Sequence, residues 1–178
     1  ADSWELAPDG LSWIFRLHKG IKFQNGDNLT AKDVKFSLDR YLSPVAFMPA
    51  LRQSVDRVDI VDDYTVRVYT KGPQPYVPLL VSFYTPGSGL IQPKDYIEKN
   101  GLEYFKQHMI GSGPWKFVRY VPGDVIQWEA VENHWRKTPA FKTLIVKKVP
   151  EEATRVNMLR AGEVDVIDLG LAFKQEVL

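Results

Sequence analysis

Gly111-Ser112-Gly113-Pro114-Trp115 divides the chain into two stretches that obey different rules. Two glycines within three residues allow positive φ or close approach to another segment, while Pro114 fixes its own φ and drives Gly113 towards extended geometry. The chain beyond must run extended. Residues 115–121, WKFVRYV, have the alternation to do so, with Trp115, Phe117 and Arg119 on one face and Lys116, Val118 and Tyr120 on the other. A Gly-x-Gly with no helical pattern behind it lacks the helix N-terminus that a phosphate cradle aims at its anion, so the stretch reads as a domain-crossing turn, a hinge. Ser112 has neither the strand-turn-helix context of a nucleophile elbow nor a visible His–Asp partnership, and its expected role is a hydrogen bond at the hinge.

On the N-terminal side, LSWIFRL (11–17) follows the turn Pro8-Asp9-Gly10 and reads as a strand able to pair with Trp4–Leu6 as a hairpin. Ile21 and Phe23 resume the alternation, and Asn25-Gly26-Asp27 is a second turn. Thr30-x-x-Asp33 predicts a helix start with Thr30 as N-cap, and Leu29 and Val34 stand where a hydrophobic staple belongs. Val34, Leu38, Tyr41 and Leu42 recur on one face, which packs on a sheet, and the helix ends near Ser43-Pro44. A loop with a short helical piece spans 45–54. Residues 55–70 read as a hairpin about Asp62-Asp63. Asp56, Asp59, Asp62 and Asp63 lack the Gly and terminal Glu of an EF-hand loop, and a solvated strand face is the better reading. Residues 76–83 form a short helix or buried turn leading into a Gly-rich loop, and 93–108 hold two short helices parted by Asn100-Gly101.

On the C-terminal side, Pro122-Gly123-Asp124 turns the first strand into a second. Residues 144–149, LIVKKV, read as a further strand, and Pro150-Glu151-Glu152 opens a helix with Ala153, Val156 and Leu159 inward and Gly162 at its end. Residues 164–168, VDVID, then read as a strand, giving the strand-helix-strand order of a crossover onto a parallel sheet.

Composition narrows the functional classes. The 178 residues are 44% hydrophobic and 25% charged, with a net charge of +1, and there is no basic stripe of the kind a nucleic-acid binder needs. No apolar run approaches the roughly 20 residues of a membrane span, and none at the start of the sequence given has the charged-then-apolar form of a signal peptide. The lack of cysteine excludes thiol nucleophiles, disulfides and thiolate metal sites, and leaves the compartment open. His18, His108 and His134 have no paired spacing, so a protein-only metal site is not expected and each is read as a surface or cap residue.

Five pieces of the sequence, in order, carry a resemblance. They are A-D-S-W-E at the start, F-R-L-H-K-G-I-K-F-Q-N-G-D-N-L-T-A-K-D-V-K-F-S-L (15–38), G-S-G-P-W-K-F (111–117), N-H-W-R-K-T-P (133–139) and R-A-G-E-V-D-V (160–166). Together they resemble the extracytoplasmic solute-binding proteins of the peptide, opine and nickel class of ABC importers, family 5. The resemblance implies a mixed α/β, periplasmic-binding-protein-like (type II) two-lobe fold of which only part is present, the chain being a fragment. It places 1–109 as a small β-rich subdomain with flanking helices and 110–178 as the first part of the large lobe after the hinge. The implied function is capture of a small solute, an oligopeptide or similar, outside the cytoplasm or in the periplasm, with delivery to ABC permease subunits. No cofactor, nucleic acid or catalysis is implied. The alternative is the same fold as the ligand-sensing domain of a regulator or, further off, an enzyme; an upstream DNA-binding segment favours the regulator and an export signal favours transport. In the family's hinge motif Thr and Tyr are common where Ser112 and Trp115 stand here, swaps that keep a hydroxyl and a ring.

Candidate ligand contacts fall in two places. Phe83, Tyr84 and Thr85 precede the Gly-rich loop and either present rings and a hydroxyl to the cleft or, for the two rings, pack the subdomain. Asp168 and Leu169 are expected at a strand C-terminus, where α/β sheets bind ligands. Asp165 and Asp168 on such a strand would point to opposite faces, which argues against a catalytic pair. An incomplete lobe also exposes an unpaired sheet edge at 144–149 or 164–167, which invites self-association.

Overall fold

The computed structural model describes residues 1–46, 49–82, 85 and 89–170. Two antiparallel sheets that share no strand organise them. The first contains β1 (Ser3–Leu6), β2 (Ser12–Arg16), β3 (Val55–Asp62) and β4 (Thr65–Thr70), in the order β1-β2-β4-β3. The hairpin of β1 with β2 follows from the turn between them: the Asp9 carboxylate accepts the Leu11 N–H at 2.9 Å, and Arg67 of the neighbouring strand reaches it at 2.8 Å. These contacts hold the Asp9 carboxyl below the usual carboxylate range, the Leu11 N–H contributing most. The second hairpin turns after Asp62, whose carboxylate accepts the Tyr64 N–H at 2.8 Å. Asp56 and Asp59 pair with the exposed Arg57, as a solvated strand face requires.

Helix α1 (Ala31–Leu42) covers one face of this sheet. Thr30 is its N-cap in extended conformation, and the Thr30 N–H donates to Asp33 Oδ2 at 2.9 Å, closing the capping box. Leu29 and Val34, the staple pair, are both buried. Val34 and Leu38 meet Phe15, Val58, Val66 and Val68 in one core, with Tyr41 and Leu42 packed at its margin. Each such side chain contributes about 1.5–3 kcal/mol relative to remaining in water. Ile21 and Phe23 belong to the same core although they lie outside the strands, held by a bridge between Lys22 and Asn28. Around this layer run the short helices α2 (Pro49–Ser54), α3 (Val77–Leu80), α4 (Lys94–Asn100) and α5 (Leu102–Gln107). His108 is the C-cap of α5, stacked on Tyr104 at 4.0 Å.

The second sheet is β5 (Trp115–Val121), β6 (Val125–Ala130) and β7 (Thr143–Lys147), antiparallel in that order, followed by α6 (Glu152–Arg160). A register shift between Phe117 and Arg119 ends the alternation: Trp115 and Phe117 are half-buried, and everything after them on β5 is exposed. Expectations fail at two places here, residues 164–168 and the face of α6. Residues 164–168 form no strand, so no parallel crossover and no sheet edge exist there. The run is rich in β-formers, with Val166 and Ile167 adjacent rather than alternating, but no strand stands beside it to accept its hydrogen bonds, and a lone strand is not stable. Ala153 of α6 is exposed, Val156 is buried at 1% and Leu159 is half-buried, so the helix seats one side chain rather than a face.

Candidate functional site

Gly111–Trp115 joins the two sheets, and the structure fixes it through the backbone. Neither Gly111 nor Gly113 has positive φ, and a Cβ on either would meet nothing nearer than 3.9 Å, so the expected conformational need for glycine is not what holds the segment. Its carbonyls and amides do that. On one side Gln24 engages Gly111, Gly113 and Trp115. On the other, His134 Nε2 and Trp135 Nε1 both donate to the Ser112 carbonyl oxygen at 3.0 Å. The backbone N–H groups of Arg136 and Lys137 lie 3.3 and 3.4 Å from His134 Nδ1, which makes Nδ1 the acceptor and Nε2 the protonated nitrogen. Asn133 (φ 55°) turns the chain to present this pair, a conformation that Asn tolerates better than most residues. The bonds that define Ser112 thus fall on its carbonyl rather than on the hydroxyl that the sequence drew attention to.

Trp135 also stacks on His18, with ring centroids 5.3 Å apart and planes 27° apart, and His18 Nδ1 lies 2.7 Å from Asp2. His18 and His134, read from the sequence as surface groups, therefore flank one indole. Beneath this pair opens a cavity of about 220 Å³. Its floor is the apolar core between β2, β4 and α1, including Phe15, Val34, Leu38 and Val66; Ser112 and Trp135 reach it from the other side. Val81 and Gly89, which flank the loop carrying Phe83–Thr85, line it too. Gly89 is obligatory at that point: its φ is +95° and a Cβ would lie 2.3 Å from the Val81 carbonyl oxygen. Val81 and Gly89 thus meet closely at the cavity wall.

Phe83 and Tyr84 lie outside the described residues. Thr85 donates its hydroxyl to the Leu79 carbonyl at 2.7 Å and its N–H to Ser82, so its hydrogen-bond donors serve the base of its own loop. Asp168 and Leu169 are not at a strand end, because the strand on which that reading rested is absent. They are held instead by α6: Arg155 Nε donates to the Asp168 carbonyl at 2.9 Å, and the Gly170 N–H donates to Glu152 Oε1 at 2.8 Å. Neither is among the described residues lining the cavity. Asp165 and Asp168 are both exposed, and no group of three or more potential metal ligands occurs among the described residues. Gln24 was not legible as a site residue, since a Gln in a Phe-Gln-Asn-Gly turn carries no chemical signal of its partner. Trp135 had a signal, the Asn-His-Trp motif, which alone does not say what the ring touches.

This geometry has close relatives. The model of the bacterial extracellular solute-binding proteins, family 5 Middle, matches residues 1–177. The periplasmic oligopeptide-binding protein OppA of Haemophilus influenzae is 30% identical, over 98% of this chain and 36% of its own length. Heme-binding protein A of the same organism is 32% identical, over 94% of this chain and 34% of its own. Among solved structures, MoaA of Agrobacterium tumefaciens R10 in complex with mannopinic acid superposes with a TM-score of 0.83 at 32% identity, covering 93% of this chain and 33% of that one. The chain thus spans about a third of the length of these relatives. No helix among the described residues is long and apolar enough to cross a membrane. The two sheets and their helices form part of a type II periplasmic-binding-protein fold, and the chain belongs to the bacterial extracellular solute-binding proteins of family 5.

Proposed function

We propose that this chain is part of the substrate-binding component of an ABC importer, which captures an oligopeptide or similar solute outside the cytoplasm and hands it to membrane permease subunits without altering it. The observation that carries this reading is the family match along residues 1–177. Residues 1–109 form the smaller subdomain and 110–178 lead into the larger lobe. Phe83, Tyr84, Thr85, Asp168 and Leu169 are the proposed contacts for the part of the solute beyond the cavity, and solute binding shifts an open and closed equilibrium through differential affinity. The cavity supports an apolar element in the solute. At about 220 Å³ it is smaller than the roughly 300–1,000 Å³ of a complete small-molecule site, so it suits one apolar side chain of a larger ligand. The Ser112 carbonyl that lines it is already engaged twice.

The test is a thermal-shift panel on the full-length protein with oligopeptides, opines, heme, glutathione and nickel chelates, followed by calorimetry. A solute at about 100 times its Kd stabilises by about 2.7 kcal/mol. A saturable shift with a peptide bearing a large apolar side chain, recovered unchanged, is expected. A panel without any shift, or a solute returned chemically altered, overturns the proposal.

A further inference from the structure

We infer that Gln24 is the positioning residue that sets how the second sheet stands on the first. The inference rests on the solute-binding reading for its purpose, since Ser112 lines the cavity from the segment Gln24 holds, and Trp135 lines it while donating to the Ser112 carbonyl. Four hydrogen bonds carry it. The Gln24 N–H donates to the Gly111 carbonyl at 3.0 Å, and the Gly111 N–H donates back to Gln24 Oε1 at 2.9 Å. Gln24 Nε2 donates to the carbonyls of Gly113 at 3.3 Å and Trp115 at 3.0 Å. The partners fix which end of the amide is which, because a backbone N–H can only donate and a carbonyl can only accept.

Only a primary amide satisfies this set from one side chain. A carboxylate accepts from Gly111 but faces two carbonyl oxygens without a proton to offer; an alkyl group does neither. The amide is also braced from behind. Phe23, next to it, is 3% exposed in the first core, and the turn holding Gln24 is closed by Phe23 N–H to Asp27 O and Gly26 N–H to Phe23 O, both 2.9 Å. A rigid turn rooted in the first core thus grips the first residues of the second sheet, over 87 to 91 positions of sequence separation.

The experiment uses Gln24→Ala and Gln24→Glu in the full-length protein, reading amide hydrogen exchange at Gly111 and thermal stability from about pH 4 to about pH 8. In Gln24→Ala the Gly111 amide exchanges about tenfold faster or more, with the β4 amides of Val66 and Val68 unchanged. In Gln24→Glu the introduced carboxyl is pushed up by the facing carbonyls. By linkage its compatibility with the fold is complete at acid pH and is lost as pH rises through the folded value, so the variant approaches the wild type near pH 4 and departs from it at pH 8. This pH profile also keeps the test open if Gln24→Ala does not fold. Gly111 exchange within twofold of wild type in Gln24→Ala, or a pH-independent deficit in Gln24→Glu, overturns the assignment. Failure of every solute to bind the wild type counts against the proposed function and leaves these exchange and pH outcomes to judge Gln24 by themselves.

Discussion

Val58, Val66 and Val68 of the four-stranded sheet are 0–1% exposed, whereas Ile145 and Val146 of the three-stranded sheet are each 49% exposed, although both sets are β-branched residues on well-formed strands. β-forming residues made both sheets; cover made only one core. The first sheet has α1 laid across it with its staple, its apolar stripe and the loop residues Ile21 and Phe23. The second has α6, which buries Val156, while Val118, Tyr120, Phe141, Ile145 and Val146 stay open to solvent among the described residues. The comparison teaches that hydrophobic patterning specifies a strand, and that stability comes from what lies over it.

The largest expected effect separates the two regions directly. Leu38→Ala in α1, 4% exposed against the first sheet, lowers unfolding free energy by about 2–5 kcal/mol in urea titrations. The matching Ile145→Ala in β7 costs less than about 1 kcal/mol. Equal costs would break the comparison.

Next is the junction of α1 with α4. Asp33, 7% exposed, accepts the Thr30 N–H and, through Oδ1, the Lys94 N–H at 3.0 Å, so one carboxylate satisfies the starts of two helices. Asp33→Ala strands both donors and costs about 2–4 kcal/mol, more than loss of an ordinary cap. A cost near 1 kcal/mol would reduce Asp33 to an ordinary N-cap partner.

The glycines sharpen the contrast between a steric requirement and a motif. Gly89→Ala brings a Cβ onto the Val81 carbonyl at positive φ and costs about 1–3 kcal/mol. Gly113→Ala, inside the segment that divides the sequence, meets nothing within 4 Å and costs less than about 1 kcal/mol in thermal melts. The reverse order would show that the 111–115 segment adopts a second conformation that needs glycine.

The smallest effect is in pH dependence and lies in the two turns of the first sheet. Asp9 and Asp62 have carboxyls below the ordinary range, held there chiefly by the Leu11 and Tyr64 N–H groups. A folded value below the unfolded one means that their contribution is full above the unfolded pKa and is lost as pH falls through the folded pKa. Asp9→Asn and Asp62→Asn therefore flatten the acid limb of the urea midpoint between about pH 5 and about pH 2.

What the sequence by itself determined is the local grammar. Pro8-Asp9-Gly10, Thr30-x-x-Asp33, Asp62-Asp63 and Pro122-Gly123-Asp124 state their turns and cap through residues a few positions apart, and the structure follows each. The family resemblance was legible for the same reason, as ordered short motifs. Only the tertiary structure decided the rest, because it depends on partners far along the chain. Residues 164–168 are rich in β-formers yet form no strand without a neighbour, whereas 144–147 of the expected 144–149 do, within β7, because β6 lies beside them. Ser112 works through its carbonyl because His134 and Trp135 arrive from 22 and 23 residues away. Gln24 holds the junction because the Gly111 amide and the Gly113 and Trp115 carbonyls converge on it, a backbone pattern that no side-chain sequence records.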